Sequence, residues 1–195
     1  MRVNLLLVAA AFIVAFPCAN AQVTIYGTFS SVHLSGVDTG VSLTSSGFQT
    51  NTDSFFASGI GGGVTLNFLH LGPAALGFDL RGSTRPGTPG ADTAMAGIKL
   101  GLHPPRTRIK PYVQFSGGYL ASRTPFRGSD PPGPNATVSN KYAAYEVLGG
   151  VDYSVAHFID VRVVEIGVGK AFDVGIGSSD NPTLFTINTG IVVHF

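Results

Sequence analysis

Ala75-Leu76-Gly77-Phe78-Asp79-Leu80-Arg81-Gly82-Ser83 is the stretch on which the fold turns. In an extended chain successive side chains point to opposite faces, so Leu76, Phe78 and Leu80 share one face. Gly77, Asp79, Arg81 and Ser83 share the other. An acid and a base lie with glycine and serine on one side, and nothing charged interrupts the apolar side.

The same alternation recurs along the chain. In residues 93–102, Ala94, Ala96, Ile98, Leu100 and Leu102 oppose Met95, Gly97, Lys99 and Gly101. In 108–120, Ile109, Val113, Phe115 and Tyr119 oppose Lys110, Tyr112, Gln114, Ser116 and Gly118. In 142–153, Tyr145, Val147, Val151 and Tyr153 oppose Ala144, Glu146, Gly150 and Asp152. Residues 60–70 set Val64, Leu66 and Phe68 against Thr65 and Asn67. Residues 158–172 begin with Ile159, Val161 and Val163 against Asp160 and Arg162. The phase then slips at Val163-Val164, which puts Glu165 with Gly167 and Gly169, and one extra residue, a β-bulge, accounts for the slip. Residues 22–34 and 183–195 bring the count to eight strands, with ten as the alternative.

The connections alternate in length. Residues 36–54, 84–92, 121–141 and 173–182 read as long or medium loops, and 71–74, 103–107 and 154–157 as short turns. Strands of about ten residues with that alternation predict an all-β fold, a transmembrane antiparallel up-and-down barrel with long external loops and short periplasmic turns. A soluble barrel of the lipocalin type shares the alternation but needs a well-hydrated exterior. Here the polar faces are rich in Gly, Ser and Thr and poor in charge.

Composition agrees. Charged residues make up 12% of the 195, about half of the roughly 25% usual in soluble domains. With 12 Lys+Arg against 11 Asp+Glu there is no basic excess of the kind nucleic-acid binding needs. The 44% hydrophobic content excludes a disordered chain. Arg2 followed by the apolar run 5–16 is too short to span a bilayer and reads as a secretory signal. Ala19 and Ala21 form a small-x-small site, so cleavage is expected before Gln22. That divides the chain into a signal peptide, 1–21, and a barrel, 22–195. Cys18 would be discarded; Ala15-Phe16-Pro17-Cys18 is a poor match to a lipoprotein signal.

The last eight residues, Asn188-Thr189-Gly190-Ile191-Val192-Val193-His194-Phe195, resemble the C-terminal assembly signal of outer-membrane proteins. Asn188, Gly190, Val193 and Phe195 occupy its polar, glycine, apolar and terminal-aromatic positions. Residues 147–153 with 159–162 look like the last hairpins of the small OmpA/OmpX-type barrels of the porin superfamily. The resemblance implies a bacterial outer-membrane location, recognition by the barrel-assembly machinery with periplasmic chaperones, and contact with outer-membrane lipid and lipopolysaccharide. A monomer is expected, with no nucleic-acid partner.

By parity Asp79, Arg81, Lys99, Lys110, Glu146, Asp152, Asp160, Arg162 and Glu165 face the lumen, four basic and five acidic groups. An eight-stranded interior is only wide enough for side chains, so near-balanced charge predicts an ion-pair network that closes it. The role expected is structural or surface interaction; a narrow porin-like diffusion channel is the alternative. A lipid A-modifying enzyme is a further one, resting on His33 and Ser35, which share a strand face but have no obvious orienting carboxylate. His70, His103 and His157 fall at separate short turns, too far apart for one metal site. No catalytic residue, metal or cofactor is implied. The glycine run 59–63 marks a bend or the crossing of a large side chain.

Overall fold

The computed structural model describes residues 22–44, 47–125, 137–173 and 181–195. Ala19 and Ala21 lie outside them. Eight strands follow one another: β1 (Gln22–Thr44), β2 (Gly47–Leu71), β3 (Ala74–Arg85), β4 (Gly90–Leu102), β5 (Ile109–Pro125), β6 (Thr137–Ala156), β7 (Ile159–Asp173) and β8 (Thr183–His194). Each pairs antiparallel with its chain neighbours, and β1 closes on β8 to complete a barrel. Closure follows from the surroundings the outer face is made for. In hydrocarbon an open edge would leave a row of N–H and C=O groups unpaired at several kcal/mol each.

The outer face is apolar. Phe29, Ile60, Leu80, Ile98, Phe115, Val147, Val168 and Ile187 all project outward and are exposed. Sheet parity puts Asp79, Arg81, Lys99, Lys110, Glu146, Asp152, Asp160, Arg162 and Glu165 of the same strands inside. The expected slip in β7 is present: Val151 pairs with Val164 and Asp152 with Arg162, which leaves Val163 as the extra residue. Val163 and Val164 both face outward, while Arg162 and Glu165 are both buried.

Residues 36–54 correct the sequence reading, which makes them a long loop. They belong to β1 and β2, whose pairing runs on to Thr44 and Gly47. β1 meets β8 only as far as Ser35, and β2 meets β3 only from Ile60, so the hairpin continues as a two-stranded ribbon. Beyond a bilayer such a ribbon still saturates its backbone, but no lipid imposes alternation on its side chains. A Ser/Thr/Gly/Asn sequence therefore reads as loop. The 121–141 connection shortens likewise, because β5 runs to Pro125 and β6 starts at Thr137.

Candidate functional site: the filled lumen

Two tyrosines organise the interior. Tyr26 on β1 stands opposite Gly63 on β2, and Tyr112 on β5 opposite Gly150 on β6. A Cβ on either glycine would collide with the facing ring. The missing side chains let each ring lie over its partner strand, and at Gly63 this is the large side chain crossing the glycine run. The Tyr26 hydroxyl donates to both Asp79 oxygens at 3.0 Å. That of Tyr112 donates to Glu165 Oε2 at 2.6 Å.

Arg162, fully buried, lies between the two rings, 4.4 Å from the centre of Tyr26 and 4.9 Å from that of Tyr112. Its Nε donates to Asp152 Oδ1 at 3.0 Å and its Nη1 to Glu165 Oε2 at 3.1 Å. Arg81 donates from Nε to Asp79 at 3.0 Å, from Nη1 to Glu165 at 2.9 Å and from Nη2 to Gln114 Oε1 at 2.9 Å. Gln114 Nε2 donates to Asp79 at 2.7 Å, Thr65 Oγ1 to Asp79 at 2.8 Å and Asn188 Nδ2 to Glu165 at 2.8 Å. Lys99 rests on the Tyr112 ring at 3.9 Å, with Nζ 3.6 Å from Asp152. All eight strands contribute to this web. Taking charges out of water is expensive, and burial of this kind persists only when nearly every lone pair and proton is matched.

At the short-turn mouth a second cluster forms. Asp160 accepts from Lys110 Nζ at 2.8 Å and Ser154 Oγ at 2.8 Å, and lies 2.7 Å from His194 Nε2. His194 Nδ1 is 3.2 Å from Thr24 Oγ1, so one imidazole ties β8 to both β7 and β1 across the closing seam. In the turn after β4, burial and then the nearby Lys110 push the imidazole of His103 below its ordinary titration range.

Of the nine inward charges, eight are ion-paired. Glu146 is the exception and corrects the expectation of one shared network: it accepts from Thr186 and, among the described residues, has no cation within ion-pair distance. Above it sits Arg85, which the sequence reading stopped short of by ending the strand at Ser83. It is buried, donates from Nη2 to Ser30 at 2.5 Å, and leaves Nε and Nη1 without partners. Carrying the parity of Asp79, Arg81 and Ser83 two residues further would have found it.

Still higher the filling changes character. Val32, Leu34, Val37, Leu120, Tyr142 and Leu184, all nearly or wholly buried, form an apolar core between the external halves of the strands. Between this core and the central web lies a polar cavity of about 30 Å³ lined by Arg81, Arg85, Glu146 and Asn188. Another of about 30 Å³ lies toward the mouth, lined by Lys99, His103, Lys110 and Asp160. Each has room for a few waters at most, at ~10–15 Å³ apiece.

In the last strand Asn188 and Gly190 face inward, Gly190 packing against Gly27 and Thr28 of β1. Val193 faces out, and Phe195 is exposed at the rim, its N–H donating to the Val23 carbonyl at 2.9 Å. His33 and Ser35 face out as well. His33 packs on Phe56 at 4.3 Å, and Ser35 bonds to Ser54 at 3.0 Å. Among the described residues no group of three or more His, Cys, Asp or Glu is placed to hold a metal ion.

Comparison with solved structures bears on the fold. The N-terminal β-barrel domain of OprF from Pseudomonas aeruginosa aligns over 89% of this chain and 97% of its own, with TM-score 0.50 and 7% identity. The chain has the fold of the small outer-membrane β-barrels. Neisserial surface protein A aligns over 88% of this chain and 97% of its own at TM-score 0.46 and 14% identity. The outer membrane protease OmpT of Escherichia coli aligns over 93% and 98% at TM-score 0.42 and 10% identity. No protein-family model and no curated protein sequence matches the chain. Identities this low speak to the architecture of the barrel and leave its role to its own residues.

Proposed function

We propose that this barrel is a monomeric, non-enzymatic protein of a Gram-negative-type outer membrane, exported with removal of residues 1–21, whose lumen does not conduct. Its role is structural or one of surface interaction, exercised through the β1–β2 ribbon and the extended β5–β6 hairpin on the external side. The observation that carries this reading is the double filling of the lumen, a web of ion pairs below and an apolar core above, with a cavity of about 30 Å³ between them. Purified protein in planar bilayers is expected to show no steady conductance. Large, stable open channels would overturn the reading in favour of diffusion. Against a lipid A-modifying activity stands the packing of His33 on Phe56 and of Ser35 on Ser54, with no hydrogen bond joining the pair; lipid A mass is expected to be the same with and without the protein.

Biogenesis completes the proposal. Phe195 is read by the assembly machinery as the terminal aromatic of its signal, after escort by periplasmic chaperones. Deleting it is expected to strand signal-cleaved protein in the periplasm, while the same variant still closes when refolded in detergent. Normal outer-membrane levels of the deletion variant would count against that role.

A further inference from the structure

Among the described residues, the external part of the outer wall over β5 to β7 is cationic and carries no compensating acid. Lys141 on β6 and Lys170 on β7 are exposed on the outward parity, and neither takes part in an ion pair among the described residues. All the acidic residues of β5 to β8 (Glu146, Asp152, Asp160, Glu165 and Asp173) share the inward parity. The neighbouring outward acid, Asp92 on β4, is already held by Arg123 at 2.9 Å.

Lys170 lies in register with Tyr145. Tyr145 stacks between Phe115 and Phe172, with centroid separations of 6.3 and 5.9 Å. Aromatic rings on the lipid face mark the boundary between acyl chains and headgroups, and a lysine beside them lays its stem on the rings and lifts its ammonium to headgroup level. Lys141 lies four residues nearer the external end of β6 than Tyr145, which at ~3.3 Å per residue places it ~13 Å further along the strand. A cation on the lipid face of a barrel costs ~2–4 kcal/mol at mid-bilayer and ~0–1 near the interface. Two uncompensated ones, one beside the rings and one further out, therefore ask for anions in the leaflet.

We propose that Lys141 and Lys170, with the Phe115–Tyr145–Phe172 stack running past Lys170, form a docking site for the phosphorylated headgroup of an outer-leaflet glycolipid. Two ammonium groups set well apart suit a headgroup with two separated phosphates, and the stack offers a flat apolar bed for its acyl chains. A phospholipid with one phosphate engages only one lysine. The proposal rests on the outer-membrane reading.

The test titrates the refolded barrel, residues 22–195, with lipid A in detergent micelles and counts bound lipid by native mass spectrometry. Lys141→Gln combined with Lys170→Gln is expected to lower affinity about tenfold, the size expected for two partly desolvated charge contacts. The Lys→Arg pair is expected to retain it, because a guanidinium also binds phosphate. Lipid A stripped of both phosphates is expected to bind the unaltered barrel as weakly as phosphorylated lipid A binds the glutamine variant. Equal binding by the glutamine variant, or by the stripped lipid, overturns the proposal. Phosphatidylglycerol binding as tightly, with the same loss on substitution, overturns the choice of a glycolipid. Heat-modifiable gel mobility of the same samples reports barrel closure separately, so a failure of the barrel reading cannot pass for a failure of the site.

Discussion

The lower and upper parts of the lumen solve the same packing problem with opposite chemistries. Around Arg162 every strand sends in a polar side chain, and the filling is held by matched charges between two tyrosine rings. Around Leu34 and Leu120 the filling is largely hydrocarbon. Both fill the lumen, but they fail differently. Remove one member of the web and its partners are left buried and charged; remove one leucine and only a void remains. On the non-conducting reading proposed above, these are two seals in series, and the web is the more brittle.

Breaking that contrast begins with Arg162→Ala. It leaves Asp152 and Glu165 short of a counter-charge, and breaking a buried pair from one side costs about 3–5 kcal/mol. Urea unfolding of the detergent-refolded barrel is expected to show a loss of that order; a loss below about 1 kcal/mol would mean that water enters and screens the web. Leu120→Ala in the upper filling is expected to lose about 2–4 kcal/mol through lost burial and a cavity, with the lumen still non-conducting because the web beneath it is intact. Steady conductance in Leu120→Ala would show that the apolar seal works alone.

Arg85 sharpens the comparison, since it is a charge stranded at the border between the two fillings. Two of its nitrogens have no partner, and each unmatched buried donor costs about 1–3 kcal/mol. Arg85→Met together with Glu146→Gln is expected to be neutral or stabilising in the same unfolding assay, the reverse of Arg162→Ala. A loss matching that of Arg162→Ala would place Arg85 inside the web in function. The smallest effect belongs to His103. Because the folded barrel releases this proton more readily than the unfolded chain, stability should fall slightly as pH drops through the ordinary histidine range. His103→Gln should flatten that slope, and an unchanged slope would assign it to other groups.

Most of the architecture was legible because a lipid-facing wall leaves a period-two record, as at Leu76, Phe78 and Leu80, and because the phase slip at Val163-Val164 is visible in the letters. The ribbon of β1 and β2 was not legible, since no lipid forces its side chains to alternate. Asp79, Arg81 and Arg162 could be placed inside by parity alone. Their partners Gln114 and Asn188 could not be paired with them, because pairing depends on which strands face each other across the closed lumen. Tyr26 and Tyr112 left a faint trace in the glycines that make room for them. Arg85 was lost to a strand ended two residues early. The apolar core was missed because charge was taken as the mark of the interior, although Leu34 and Leu120 share the parity of Tyr26 and Tyr112.

The bulge at Val163 carries a consequence for how this chain can change over time. Within the wall each residue is committed to lipid or lumen by its place in an odd-even count, and Val163 is the one point in β7 where the count is reset. Deleting Val163 itself would only straighten the strand, with Arg162 and Glu165 still inward, whereas deleting Ile98 from β4 would turn either Met95 and Gly97 or Lys99 and Gly101 toward hydrocarbon, a lesion of half a strand from the loss of a single codon. Insertions and deletions in the wall should therefore survive only in even numbers or when a second slip restores the count. The ribbon above the bilayer keeps no such count, and lengths there are free to drift.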